Sequence, residues 1–285
     1  MNITKVAVVG AGTMGSGIAQ VCACAGLNVV LQDINAAALV RAVQSIESSL
    51  KRLLDKQKLS ETEVKDALSR IVTTTELADF ANADVVIEAA TEAQSLKLKI
   101  LAQLSEVVGD NAVIATNTSS LSVTELAAAT KRPEQFIGLH FFNPVPMMAL
   151  VEVIAGLQTS EQTQARATDF VALINKTGIN AKNSAGFAVN RILVPMLNEA
   201  IFALQEGLAS AEDIDLGMKL GCGHPIGPLA LADLIGLDTL LAIIESFYQS
   251  FSDPKYRPAP LLREMVHAGY LGRKSGRGFF SYGTA

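Results

Sequence analysis

Three things are scarce in this sequence, and each scarcity excludes something. Cysteine is the first: Cys22, Cys24 and Cys222 are an odd number, and their spacing fits neither a zinc site nor a C-x-x-C redox pair. No metal centre is expected, and the three thiols read as small buried hydrophobes in a reducing setting. Long uncharged apolar runs are the second. The stretch 225–244 comes nearest to membrane-spanning length, but Asp233 and Asp238 interrupt it, so no membrane association is expected. Positive charge is the third: a net charge of −5 without a basic stripe argues against a nucleic-acid partner. The chain opens Met1-Asn2-Ile3-Thr4-Lys5 and runs directly into a strand pattern. That leaves no room for a signal peptide and points to the cytoplasm.

Apolar residues are plentiful, at 49% of 285, which suffices for sizeable cores in two domains or one large one. Residues 5–9 form a β-branched run of the kind buried on both faces of a parallel sheet. Gly10-Ala11-Gly12-Thr13-Met14-Gly15 follows, then a helical pattern that stops at Gly26, then a second strand over 27–32 ending in Asp33. A lone G-x-G-x-x-G says little. Strand, glycines, helix, strand and terminal acid in this order read as a dinucleotide cradle. Gly10 permits the tight turn, Gly12 lets a pyrophosphate approach the backbone, and Gly15 allows close helix–strand packing. The helix N-terminus offers unpaired N–H groups to the phosphates. Asp33 would accept hydrogen bonds from ribose hydroxyls and repel a 2′-phosphate, and Ile34-Asn35 supplies no arginine to welcome one, so the expected cofactor is NAD.

Residues 36–68 read as a helical excursion longer than a simple crossover needs, with Ser60-x-x-Glu63 as a capping box. Its basic cluster, Lys51, Arg52, Lys56 and Lys58, is either a solvated face or a dock for an anionic substrate handle, with the solvated face as the default. Strands over 84–88 and 112–115, separated by a helix over 94–108, continue the alternation to about residue 155. The expectation is a doubly wound, mostly parallel Rossmann-type sheet, which binds ligands beyond the carboxyl ends of its strands. Three polar clusters fall at those ends: 88–92 with Lys97 beyond, 117–120, and 140–143. For Ser119 and Ser120, helix capping is the plain alternative, and Ser122-x-x-Glu125 also fits a cap.

The stretch 136–146 draws these together. An apolar strand ends near His140, Asn143-Pro144-Val145-Pro146 breaks it, and a second strand over 149–154 carries one charge, Glu152. If the strands lie side by side, the carboxylate holds one imidazole nitrogen and leaves the other to take a proton, as a general base requires. A core histidine satisfied by a carboxylate is the bland alternative, and residue types alone do not separate the two.

After 179–182 the alternation stops. A long apolar helix runs from about 186 to 204 with Pro195 near its start, and further helical patterns cover 211–220, 228–251 and 260–268. The domain boundary is placed at 183–186. This gives a Rossmann domain over 1–184 and an all-helical domain over 185–285 whose apolar surface would be buried against a second subunit, a homodimer. The tail 272–278 is a Gly-rich basic loop, either a plain turn or a segment folding towards phosphates.

These motifs resemble the short-chain L-3-hydroxyacyl-CoA dehydrogenases, above all bacterial members acting on 3-hydroxybutyryl-CoA. The matching stretches are 9–15, Glu88-Ala89-Ala90 with Glu92, Asn117-Thr118-Ser119-Ser120-Leu121, 138–146 and Leu150-Val151-Glu152-Val153. Gly186-Phe187 with Val189-Asn190-Arg191, Asp213-Ile214-Asp215, His224 to Pro228 and 271–276 complete the set. The resemblance implies reversible NAD-dependent oxidation of a (S)-3-hydroxyacyl-CoA to the 3-ketoacyl-CoA. His140 would be the base, Glu152 its orienter, and Ser119, Asn143 and Asn190 contacts to substrate or nicotinamide. Asp33, Glu92, Lys97 and Lys274 would join 10–15 in binding the cofactor. Lys97, with Ser49 and Lys56, would lie against the acyl-CoA. Ala149, Ala185 and Gly223 depart from the residues common in relatives (lysine, proline and asparagine); none touches the dyad, but Ala149 and Ala185 bear on the acyl pocket or the interdomain hinge. Two rivals stay open: a β-hydroxyacid dehydrogenase acting on a free acid with Lys182 as base, and a non-catalytic NAD-binding protein.

Overall fold

Strand and helix patterns alternate through the first unit of the computed structural model, which describes residues 3–283. That unit ends at Ser184, and a second unit begins at Ala185. In order it contains β1 (Lys5–Val9), α1 (Thr13–Cys24), β2 (Asn28–Gln32), α2 (Ala36–Asp55), α3 (Glu61–Ser69), β3 (Ile71–Thr74) and β4 (Val85–Glu88). Then come α4 (Gln94–Val107), β5 (Val113–Thr116), α5 (Val123–Ala127), β6 (Phe136–Phe141), β7 (Leu150–Ala155), α6 (Glu161–Leu173) and β8 (Thr177–Lys182).

One eight-stranded sheet results, in the order β3-β2-β1-β4-β5-β6-β7-β8. The strands from β3 to β6 are parallel neighbours, β6 and β7 are antiparallel, and β7 and β8 are parallel. Chain length explains the single reversal. Only residues 142–149 join β6 to β7, and a parallel crossover needs a dozen or more residues. The expected doubly wound, mostly parallel sheet is therefore borne out. β4, β5 and β6 are buried along their whole length, whereas the edge strands β3 and β8 are largely half-buried or exposed. Short, Thr-rich β3 lies beyond the helical excursion and has no apolar alternation, so the sequence pattern passes over it.

The capping box at α3 forms as its residues suggest. Ser60 N–H donates to Glu63 Oε2 at 2.7 Å and Glu63 N–H donates to Ser60 Oγ at 3.2 Å. Ser122 likewise accepts from Glu125 N–H at the start of α5.

The second unit holds five α-helices among the described residues: α7 (Val189–Gln205), α8 (Ala211–Cys222), α9 (Pro228–Ile235), α10 (Leu237–Phe251) and α11 (Pro260–His267). Leu197, Ile201, Leu240, Phe247 and Leu262 sit in its core. The apolar pattern over 228–251 suggests one helix, but the structure breaks it at Gly236, whose φ of 100° lies outside the helical region. A glycine tolerates that value; most residues do not. Pro195 lies inside α7. A second correction concerns cysteine: Cys22 is buried, but Cys24 and Cys222 are exposed.

Two buried aspartates tie this unit together. Asp215 of α8 accepts from the N–H groups of Leu229 and Ala230, capping α9 at 2.8 and 2.9 Å. Asp233 of α9 accepts from the N–H groups of Phe279 and Phe280 at 3.0 Å and from the Tyr282 hydroxyl at 2.9 Å, which anchors the tail. Burial and the Asp233 carboxylate push the Tyr282 phenol up to about 12. The unfolded phenol ionises near pH 10, so this bond stabilises the fold below that pH and its contribution fades as pH rises towards 12. Urea melts of wild type and Y282F should differ at pH 8, and the difference should shrink steadily as pH rises from about 10 towards 12. Asp233→Ala should cost about 2–3 kcal/mol at neutral pH, because it leaves donors without their charged acceptor.

Candidate active site

The carboxyl edge of the sheet carries the polar residues. β1 ends at Val9, and the chain turns through Gly10, with φ of 97°, into α1. A Cβ on Gly10 would stand 2.5 Å from Ala90 Cα, and one on Gly15 would stand 1.8 Å from the Gly10 carbonyl oxygen. Both positions demand glycine for packing. Gly12 differs: it is exposed, its φ of −74° suits any residue, and a Cβ there would meet nothing within 4 Å. Neither conformation nor packing of the chain itself requires Gly12. The open space it leaves at the N-terminus of α1 is room in which a phosphate could approach the backbone N–H groups.

Asp33, just past β2, is turned into the same turn. It accepts from Ala11 N–H and from Asn35 N–H, each at 2.9 Å. It also lines a cavity of about 300 Å³ with Gly10, Ile34, Leu77, Ala90 and Leu96, an apolar slot beside an acid that fits an adenosine. Thr13 and Met14 open α1. The residues present thus fit a dinucleotide.

At β6 and β7 the register places His140 directly opposite Glu152. Opposed residues of an antiparallel pair share a face with Cβ atoms about 5 Å apart, and the side chains meet, His140 Nδ1 to Glu152 Oε2 at 2.6 Å. Both are buried, at 6% and 0% exposure. A carboxylate only accepts, so Nδ1 carries the hydrogen and Nε2 is the nitrogen able to exchange a proton. The ring leans on Phe142, with centroids 4.5 Å apart. Next to it, Phe141 N–H donates to Asn117 Oδ1 at 3.0 Å, which ties the end of β6 to the end of β5.

Ser119 and Glu92 come together beyond β5. Glu92 Oε1 accepts from the Ser119 N–H at 3.0 Å, and its Oε2 accepts from the Thr118 hydroxyl at 2.8 Å. Asn143 follows β6 and lines a cavity of about 200 Å³ with Thr13, Gly17, Ser49, Arg52 and Pro144. An adjoining cavity, also about 200 Å³, is lined by Ser49, Arg52, Lys56, Lys58, Pro144 and Met147. Three of the four cations in the basic cluster therefore surround one cleft with Ser49; Lys51 does not. Arg52, three residues after Ser49 on α2, shares its helix face, whereas Lys58 lies past the end of α2 and only the fold brings it to the cleft.

Residues 5–184 match the family model described as "3-hydroxyacyl-CoA dehydrogenase, NAD binding domain", and residues 186–282 match "3-hydroxyacyl-CoA dehydrogenase, C-terminal domain". The chain belongs to the 3-hydroxyacyl-CoA dehydrogenase family. It is 50% identical over 280 residues to a 3-hydroxybutyryl-CoA dehydrogenase of Bradyrhizobium diazoefficiens, covering 98% of this chain and 96% of that one. It is 52% identical over 278 residues to a probable 3-hydroxybutyryl-CoA dehydrogenase of Deinococcus radiodurans, covering 98% and 100%. The crystal structure of (S)-3-hydroxybutyryl-CoA dehydrogenase from Ralstonia eutropha superposes with a TM-score of 0.98 at 59% identity, covering 99% and 100%. The chain is accordingly an NAD-dependent oxidoreductase, and its first unit is the family's NAD-binding domain.

Lys97 needs a correction in this dehydrogenase. It was expected against cofactor and acyl-CoA, yet its side chain is wholly buried, with Nζ 2.5 Å from Glu88 Oε2 and 3.3 Å from the Asn117 carbonyl oxygen. A buried ammonium needs a carboxylate nearby, and Glu88, itself fully buried, is that partner. Asn190, half-buried at the start of α7, and Lys274, 2.5 Å from Asp238 Oδ1, belong to the second unit.

Substitution separates the glycines. G12A should melt within about 2 °C of wild type, as a surface change does, while NADH affinity falls about tenfold or more. G15A should lower the melting temperature itself, since backbone must move to admit the methyl. Calorimetric NADH titration beside thermal melts reads both.

Proposed function

We propose that the chain interconverts a short (S)-3-hydroxyacyl-CoA, of the 3-hydroxybutyryl class, and its 3-ketoacyl-CoA, with His140 moving the proton and Glu152 orienting it. One observation carries this: two buried, oppositely charging side chains face each other in register at 2.6 Å, at the sheet edge where the dinucleotide turn lies. Bound NAD supplies the hydride acceptor. His140 Nε2 takes the hydroxyl proton in the oxidative direction and, as imidazolium, returns it in the reductive one. Imidazole is too weak a base to ionise an alcohol outright, so proton removal accompanies loss of the hydride. Glu152 holds the tautomer and stabilises the imidazolium.

Ser119, fixed through Glu92, is assigned to a substrate oxygen, and Asn143 to the substrate or nicotinamide side of the loop that it begins. Asn190 has its role by resemblance to the family. Ser49 and Lys56 are assigned to the coenzyme A moiety, joined by Arg52 and Lys58, whose charges suit its phosphates. Asp33 selects NAD over NADP. Lys97 is assigned to supporting Glu88, and Lys274 keeps a cofactor role by resemblance alone.

A lysine base acting on a free acid is less favoured. Lys182 is exposed and pairs with Ala155, three residues along β8 from the Ile179 that faces Glu152, about 10 Å away. A protein kept only to hold NAD has no use for a buried His–Glu pair. No helix among the described residues is long and apolar enough to cross a membrane, and a cytoplasmic setting is proposed. The second unit exposes Leu208, Leu216 and Leu220, and Leu208 lines an apolar cavity of about 500 Å³. Homodimerisation through these helices is proposed on that basis.

H140A should keep NADH binding and lose acetoacetyl-CoA reduction by roughly 10²–10⁴-fold. E152Q should lose about 10²-fold or more, because an amide can present its donor to Nδ1 and turn the wrong tautomer outward. Stopped-flow turnover with NADH titration reads both, and wild-type-like turnover in H140A would move the base elsewhere. Light scattering should give twice the chain mass, and L208E with L220E should halve it.

A further inference from the structure

We infer that Lys176 is a positioning residue for the acyl-CoA cleft, a clamp on the loop 142–149; the inference rests on the proposed function. That loop connects the strand of His140 to the strand of Glu152, and Pro144, Pro146 and Met147 form one wall of the cleft facing Ser49, Arg52 and Lys56.

Two prolines leave the loop short of donors. It ties itself only through Pro144, whose carbonyl accepts from the N–H groups of Met147 and Met148 at 2.9 and 3.0 Å. The Val145 and Met148 carbonyls take their donor from outside: Lys176 Nζ reaches both, at 2.7 and 2.6 Å. One ammonium thus spans the loop. It is half-buried there, and desolvation holds it below the usual lysine range.

The clamp is itself held. Lys176 N–H donates to the Val171 carbonyl at the end of α6, and Thr177 N–H donates to the Ala149 carbonyl at 2.8 Å. On the opposite side Val145, 2% exposed, packs against α1 where Gly17 leaves room; a Cβ at Gly17 would lie 2.8 Å from Val145 Cβ. The loop is therefore gripped from both flanks, and its third side faces the cleft. Lys176 does not touch the substrate. It acts through two carbonyls on the shape of the wall, so its loss moves substrate binding and leaves the dinucleotide turn alone.

The test compares wild type, K176M and K176R in steady-state reduction of acetoacetyl-CoA by NADH, with NADH affinity measured separately by fluorescence. K176M is expected to raise KM for acetoacetyl-CoA about tenfold, the loss of uniform binding, with NADH Kd within about twofold; K176R, which keeps charged donors, should return KM to within about threefold. Amide exchange should quicken at Met147 and Met148 in K176M and stay unchanged in β6 and β7. An unchanged KM in K176M, a parallel rise in KM and NADH Kd, or a K176R no better than K176M would overturn the clamp. If K176M does not fold, K176Q, with neutral donors, carries the same comparison. No turnover of acetoacetyl-CoA by wild type would overturn the proposed function; wild-type turnover with an unaltered K176M KM overturns the clamp alone.

Discussion

The hydrogen bond between His140 Nδ1 and Glu152 Oε2 constrains more of the first unit than any other single contact. Glu152 is fully buried, and a buried carboxylate without a partner is costly. Its partner is available only in one register of β6 on β7, because a slip of one residue turns every side chain to the other face. The register in turn needs β7 to run antiparallel, in a sheet otherwise wound parallel as far as β6. A connection of eight residues enforces that reversal, since it cannot carry a crossover. Chain length between two strands thus decides that an acid, and not an apolar residue, faces the imidazole.

A second buried charge pair does comparable duty where the sheet order changes direction, between β1 and β4. Glu88 lies beside Val9 in register. Its Oε1 accepts from Ala90 N–H, and its Oε2 accepts from the Thr116 hydroxyl and from Lys97. Ala90 is the floor against which Gly10 turns. Asn117, after Thr116, holds Phe141 beside His140. A continuous set of contacts therefore runs from the floor of the dinucleotide turn, through a buried ion pair, to the strand of the imidazole. It ties the turn after β1 to the strand of His140, and implies no signal passing along it.

Much of this was legible in the residues. The order strand, glycines, helix, strand, acid identified the cradle, because each glycine and Asp33 has a physical task that other residues perform badly. His140 and Glu152 were legible as a possible pair because each is a lone polar group in an apolar strand; their meeting depended on pairing that sequence does not print. Lys97 was misplaced for the same reason. A lysine among leucines near a helix start either reaches outward to a ligand or inward to an acid, and only the fold shows that Glu88 waits inside. Gly236 escaped because apolar periodicity continues across it, and β3 because four residues with two threonines carry no alternation. Cys24 and Cys222 followed the usual preference of cysteine for burial no further than their helix faces allowed.

The basic cluster shows what kind of information was missing. A charge run is a solvated face unless something opposes it, and what opposes this one lies ninety residues further on. A 20-residue helix is about 30 Å long, and one returning along the sheet face as an ordinary crossover would carry its last turns away from the carboxyl edge. Yet Ser49 and Arg52 of α2 line a cavity with Thr13 at the start of α1 and with Asn143. α2 therefore stays beside the carboxyl edge, the chain reverses near Gln57, whose φ is 55°, and α3 makes the return to β3. This accounts for an excursion of two helices where one would have joined the strands. It also sets Arg52, Lys56 and Lys58 against the proline loop, so that the segment linking His140 to Glu152 is the same segment that faces the cations.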